Sequence, residues 1–101
     1  MSSIFTKIIK NEIPSYKIAE DDKHLAFLDA MPLVKGHTLV IPKQETDFIF
    51  DLENEEFKNL WSFAQTVAKK LQKTYLDTRI AVAVIGLEVQ HAHLHLLPIS
   101  Q

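Results

Sequence analysis

The spacing of apolar residues changes along the chain, and each change marks an element. Near the N-terminus, Ile4, Phe5, Ile8 and Ile9 fall on one helical stripe, which predicts a short helix over 4–10 that stops before Pro14. Two strands follow over 16–20 and 24–29, around the turn Asp21-Asp22-Lys23. In the second, Leu25, Phe27 and Asp29 share a face opposite Ala26 and Leu28. A loop with Pro32 and Gly36 leads to a third strand over 37–41, closed by Pro42, with His37, Leu39 and Ile41 on one face. From about 52 to 74 the period lengthens. Phe57, Leu60, Trp61, Ala64, Val67, Ala68 and Leu71 form the stripe of an amphipathic helix. Asp51 or Asn54 is the expected N-cap, with Glu53, Glu55 and Glu56 at the positive dipole end and Lys69, Lys70 and Lys73 at the negative end. Two last strands are expected over 79–85 and 91–97, joined through Gly86. Short links among the first three strands favour antiparallel pairing, so the fold class is α+β: one antiparallel five-stranded sheet, one long helix covering a face, and a short N-terminal helix.

Length and charge narrow the classes. A chain of 101 residues allows one core and one domain over 1–101. A net charge of −2 argues against a surface that binds nucleic acid or membrane by bulk charge. No apolar run approaches the roughly 20 residues that span a bilayer, and the opening Met-Ser-Ser-Ile-Phe-Thr-Lys lacks the form of a signal peptide. Absence of cysteine excludes disulfides and thiolate zinc sites. A cytoplasmic protein is expected.

The last strand adds chemistry. In His91-Ala92-His93-Leu94-His95-Leu96-Leu97, three of the five histidines alternate with apolar residues. On a strand they would line one face roughly 7 Å apart, two rises of about 3.3 Å. That spacing suits one phosphate group or one metal ion. Three chemistries are open: three-histidine metal binding, covalent phosphoryl or nucleotidyl transfer by a neutral imidazole, and general acid–base catalysis without a covalent intermediate. Three ligands on one strand give cramped metal geometry, and His37 on another strand adds a fourth imidazole suited to phosphorus chemistry. His24 reads as a surface residue. Trp61, on the helix stripe, reads as core or subunit contact.

This run resembles the signature of the histidine triad (HIT) family, and its Hint-like branch in particular. The blocks Ile4-Phe5-Thr6-Lys7-Ile8-Ile9 to Ile13-Pro14, Glu20 to Asp29 and Gly36-His37 to Pro42-Lys43 also resemble the family, in the same order, over nearly the whole chain. The resemblance implies a HIT-like fold and a hydrolase acting at the α-phosphate of purine nucleoside phosphoramidates or related conjugates. His93 would be the nucleophile, His91 and His95 its flanking phosphate contacts, and His37 the upstream active-site histidine. Asp29 would bind the ribose hydroxyls. Ile4, Phe5, Ile8, Ile13 and Phe27 would hold the base, with Glu88 and Val89 beside the nucleotide. A homodimer, joined through the long helix and a strand, is implied as well.

The sequence also departs from the family. Some bacterial members carry N-terminal cysteines that help bind zinc. Ser2, Ser3 and Phe5 occupy that region here, and neither a metal nor a cofactor is expected. Leu87 replaces a usual glutamine, and Glu88 stands where a serine often contacts phosphate. Only residues 98–101 follow Leu97, where members commonly continue into a tail that shapes the pocket, so that tail is expected to be missing. These departures motivate an alternative, a nucleotide- or protein-binding module with little turnover.

Overall fold

The computed structural model describes residues 3–100. The elements are α1 (Ile4–Ile9), β1 (Lys17–Glu20), β2 (His24–Leu28), β3 (Thr38–Pro42), a 3-10 turn (Ile49–Asp51), α2 (Asn54–Thr74), β4 (Thr78–Ala83) and β5 (Leu94–Ser100). The strands form one antiparallel sheet in the order β1-β2-β3-β5-β4. Among the described residues no helix is long and apolar enough to cross a membrane.

Alternation along the strands gives the sheet two different faces. On one, Ala26, Val40, Leu94 and Leu96 pack with Leu60, Ala64, Val67 and Leu71 of α2. On the other, Leu25, Phe27, Leu39 and Ile41 pack with Phe5 and Ile8 of α1. Register keeps the sets apart. Leu25 faces Ile41 and Phe27 faces Leu39, while Ala26 faces Val40. His95 pairs with Leu39 across β3 and β5, which puts its side chain on the α1 face, away from α2.

The details correct several expectations. β5 begins at Leu94, not at residue 91, so only His95 of the triad lies in the sheet. The preceding residues are held differently: the Ala92 N–H donates to the Thr46 carbonyl at 2.6 Å, outside any strand ladder. β4 ends at Ala83, and residues 84–93 form a loop. The N-cap of α2 is Glu53, without a side-chain cap bond, rather than Asp51 or Asn54. Asp51 belongs instead to the 3-10 turn. His24 is buried rather than superficial. Its ring stacks on Phe63 at 5.1 Å and its Nδ1 bonds Asp21 at 2.9 Å. Burial raises and the His24 contact lowers the Asp21 proton affinity, and the net effect is downward. Trp61 packs against the α2-face core. Ser2, named above, lies outside the described residues.

Gly36 adopts φ +84° directly before His37. A Cβ there would stand 2.7 Å from the Tyr75 ring, so only glycine lets the chain pass under Tyr75 and deliver His37 to the α1 face.

Candidate active site

The strand ends bring His37, His93, His95 and Asp29 together on the α1 face. Asp29 follows β2, and its N–H donates to the His37 carbonyl at 3.0 Å, tying the two segments. His37 Nε2 lies 2.9 Å from His95 Nδ1 and 3.6 Å from Asp29 Oδ2. The His93 and His95 rings are 4.9 Å apart, edge to face. This is closer than the strand spacing implied, because His93 sits before the strand.

Hydrogen-bond partners fix the tautomers. A backbone N–H can only donate and a carbonyl can only accept. The Leu33 N–H donates to His37 Nδ1 at 3.1 Å, so neutral His37 carries its proton on Nε2. That proton points to His95 Nδ1, which leaves the His95 proton on Nε2. His93 Nδ1–H donates to the His91 carbonyl at 2.7 Å, so the lone pair of His93 is on Nε2. His91 Nε2–H donates to the Pro42 carbonyl at 2.7 Å, and its Nδ1 accepts from the Ser3 hydroxyl at 2.8 Å.

Burial disfavours the charged form of two of these rings, His91 and His95. Burial pulls the His95 proton affinity below the ordinary histidine value, and His93 and His37 add to the effect against Asp29 and Glu88. Burial likewise lowers His91, opposed by the Pro42 carbonyl and Glu45. Asp29, His37 and His95 present ligand atoms within 4.8 Å of one another. The Leu33 N–H, however, leaves the proton on the His37 Nε2 that faces this cluster. The group has the form of a proton relay rather than of a metal ligand set.

The expected nucleotide residues separate. Phe5, Ile8 and Phe27 are buried together, with Ile13 and Val89 packed against them, and the Phe5 ring meets His93 edge-on at 5.0 Å. Ile4 is half exposed and stands outside this cluster. Glu88 is exposed, and its charge acts on His95. His91 is fully buried with both ring nitrogens bonded, so its ring is not a phosphate contact; it reaches the site through its carbonyl. Sequence reasoning missed Ser3, Thr6, Glu45 and the Leu33 N–H. Only the Ser3–Thr6 spacing carried a signal: the Thr6 N–H donates to Ser3 Oγ at 3.0 Å, a helix N-cap.

His93, with Nδ1 bonded to the His91 carbonyl, thus stands beside the His37–His95 pair and Asp29 at one end of the sheet. The HIT domain family model matches residues 10–101, and the chain belongs to that family. It is 38% identical over 102 residues to a HIT-like protein of Borreliella burgdorferi, covering 94% of this chain and 73% of that protein. It is also 38% identical to the adenosine 5'-monophosphoramidase HNT1 of Saccharomyces cerevisiae, covering 94% of this chain and 61% of the yeast protein. The crystal structure of a HIT-like protein from Bartonella henselae superposes with a TM-score of 0.93 at 36% identity, covering 99% of this chain and 81% of the other.

Proposed function

We propose that this protein is a nucleotide hydrolase that cleaves purine nucleoside phosphoramidates, or related conjugates, at the α-phosphate through a nucleotidyl-His93 intermediate. The observation that carries this is the His93 Nδ1–H bond to the His91 carbonyl, which fixes the ring so that Nε2, the nitrogen bearing the lone pair in the neutral tautomer, is the one left for phosphorus. In the first step the Nε2–phosphorus bond forms and the phosphorus–nitrogen bond to the leaving group breaks. The departing nitrogen needs a proton. A bound phosphate's negative charge offsets the burial that lowers His95 and draws a proton from solvent onto His95 Nδ1, in exchange for its bond from His37 Nε2–H, so that charged His95 donates from Nε2. His95 then takes a proton from the water that attacks phosphorus; the oxygen–phosphorus bond forms as the Nε2–phosphorus bond breaks, its electron pair returns to His93 Nε2, and nucleoside monophosphate leaves. Asp29 is assigned to the ribose hydroxyls. Phe5, Ile8, Ile13, Phe27 and Val89, with Ile4 at the rim, are assigned to the base side. The phosphoramidase activity of the yeast relative supports the substrate class.

Glu88 favours a second reading. An exposed carboxylate acting on His95 repels an incoming phosphate and favours a module that binds nucleosides with slow turnover. A second copy of the chain is assigned to the β4 edge, where Val82 is exposed and the exposed residues Val84, Ile85 and Leu87 follow; sedimentation as a monomer at micromolar concentration would contradict it. Incubation with adenosine phosphoramidate tests the main reading. The wild-type protein releases adenosine monophosphate and His93→Ala does not; equal release by both proteins would exclude the mechanism.

A further inference from the structure

Two segments far apart in sequence converge on His91, which the proposed chemistry uses only through its carbonyl. The first is the exit of β3. The Pro42 carbonyl accepts from the His91 ring at 2.7 Å, and the Thr46 carbonyl accepts from the Ala92 N–H at 2.6 Å, so residues 42–46 bracket His91 on both sides. The second is the first turn of α1. The Ser3 hydroxyl donates to His91 Nδ1 at 2.8 Å. Glu45, on the β3 exit, joins the two segments. Its Oε1 accepts from the Ser3 N–H at 2.7 Å and from the Thr6 hydroxyl at 2.6 Å.

The shortest contacts in this group set its proton directions. Thr6 gives its hydroxyl proton to Glu45, and the Thr6 N–H occupies a lone pair of Ser3 Oγ. The Ser3 hydroxyl proton therefore points at His91 Nδ1, which matches the tautomer that the Pro42 carbonyl demands. Thr6 Oγ1 is a second, longer contact of both Ser3 Oγ at 3.3 Å and His91 Nδ1 at 3.5 Å, and the His91 carbonyl in turn orients the His93 ring. The same helix turn carries Phe5, whose ring edge packs against both His91 and His93.

We propose that Ser3, Thr6 and Glu45 are positioning residues for the nucleophile: a hydrogen-bonded clamp that locks His91 and, through its carbonyl, holds His93 in the tautomer with Nε2 free. The clamp rests on the hydrolase reading for its purpose but not for its geometry. The N-terminal helix then serves the nucleophile as well as the apolar slot. Loss of the Ser3, Thr6 and Glu45 bonds alone disturbs the reaction without removing a substrate contact, because misplacing a reacting group by an ångström costs rate rather than binding.

The test combines kinetics with histidine NMR of the full chain. In Ser3→Ala and Glu45→Ala, kcat for adenosine phosphoramidate is expected to fall about tenfold while KM stays within about twofold. In the same variants the exchange-protected His93 Nδ1–H signal is expected to broaden or shift. Ser3→Thr and Glu45→Gln keep a hydroxyl and a carbonyl acceptor and are expected to restore both readouts. Thr6→Val, nearly isosteric, is the second probe if Ser3→Ala fails to fold. An unchanged His93 signal in Ser3→Ala and Glu45→Ala overturns the clamp, whatever the rate. So does a rate loss that Glu45→Gln and Ser3→Thr do not restore. If the wild-type protein releases no nucleotide, the hydrolase reading fails alone, and the NMR signal still decides the clamp.

Discussion

The two faces of the sheet are built on opposite principles. The α2 face is an apolar interlock in which Leu60, Ala64, Val67 and Leu71 meet Ala26, Val40, Leu94 and Leu96. Almost any set of side chains of the right volume would hold it. The α1 face has a small apolar base under a layer of imidazoles, hydroxyls and carboxylates, each oriented by a specific partner. One face stores stability and the other is organised for chemistry, with Leu39 beside His95 and Val40 beside Leu94 as alternate steps along one strand pair. Substitutions should therefore separate activity from stability according to the face they touch.

The largest separation is expected at His93. His93→Ala removes the nucleophile and abolishes nucleotide release, with little change in the thermal midpoint measured by circular dichroism. A midpoint that falls as far as for a core truncation would break the comparison. The mirror case is Leu60→Ala on α2, fully buried in the wild type. It is expected to cost about 2–5 kcal/mol in urea unfolding and to leave kcat almost unchanged where the variant is folded. Gly36→Ala sits between the faces. The methyl meets the Tyr75 ring and the φ of +84° is strained, so a loss of roughly 1–3 kcal/mol is expected. A lower kcat should accompany it, because His37 moves with the turn.

The smallest effect is that of pH. His91 and His95 bind protons less readily when folded than in the unfolded chain, where histidine titrates near about 6.5. The unfolded state therefore takes up protons first on acidification. This contribution is fully present above about pH 6.5 and is lost as pH falls through the lower folded values. Urea unfolding at pH 7 and pH 5 should show the decline, and His95→Asn should reduce it.

Much of this division is legible in the sequence, because it rests on local periods. The stripe from Leu60 to Leu71 specifies α2, and alternation in 24–28 and 38–42 assigns strand residues to faces. The triad alternation assigns Ala92, Leu94 and Leu96 to the core and the histidines to the other side. What it does not specify is where the ladder starts. The pattern of 91–93 satisfies a strand, yet the Pro42 and Thr46 carbonyls engage these residues first, an outcome decided by a distant loop. The burial of His24 is hidden from the sequence for the same reason, since its ring stacks on Phe63 of α2. Glu45 gives no local sign of its role because its partners, Ser3 and Thr6, are the N-cap and first turn of α1, some forty residues away.

The central claim is that the α1 face presents His93 Nε2 as a nucleophile. Rapid acid-free quenching during turnover of adenosine phosphoramidate, followed by peptide mapping with mass spectrometry, tests it most directly. The expected result is an adenylyl adduct confined to His93 and absent from His93→Ala. Turnover with no adduct on His93, or an adduct on His95 or His37 instead, would contradict the account.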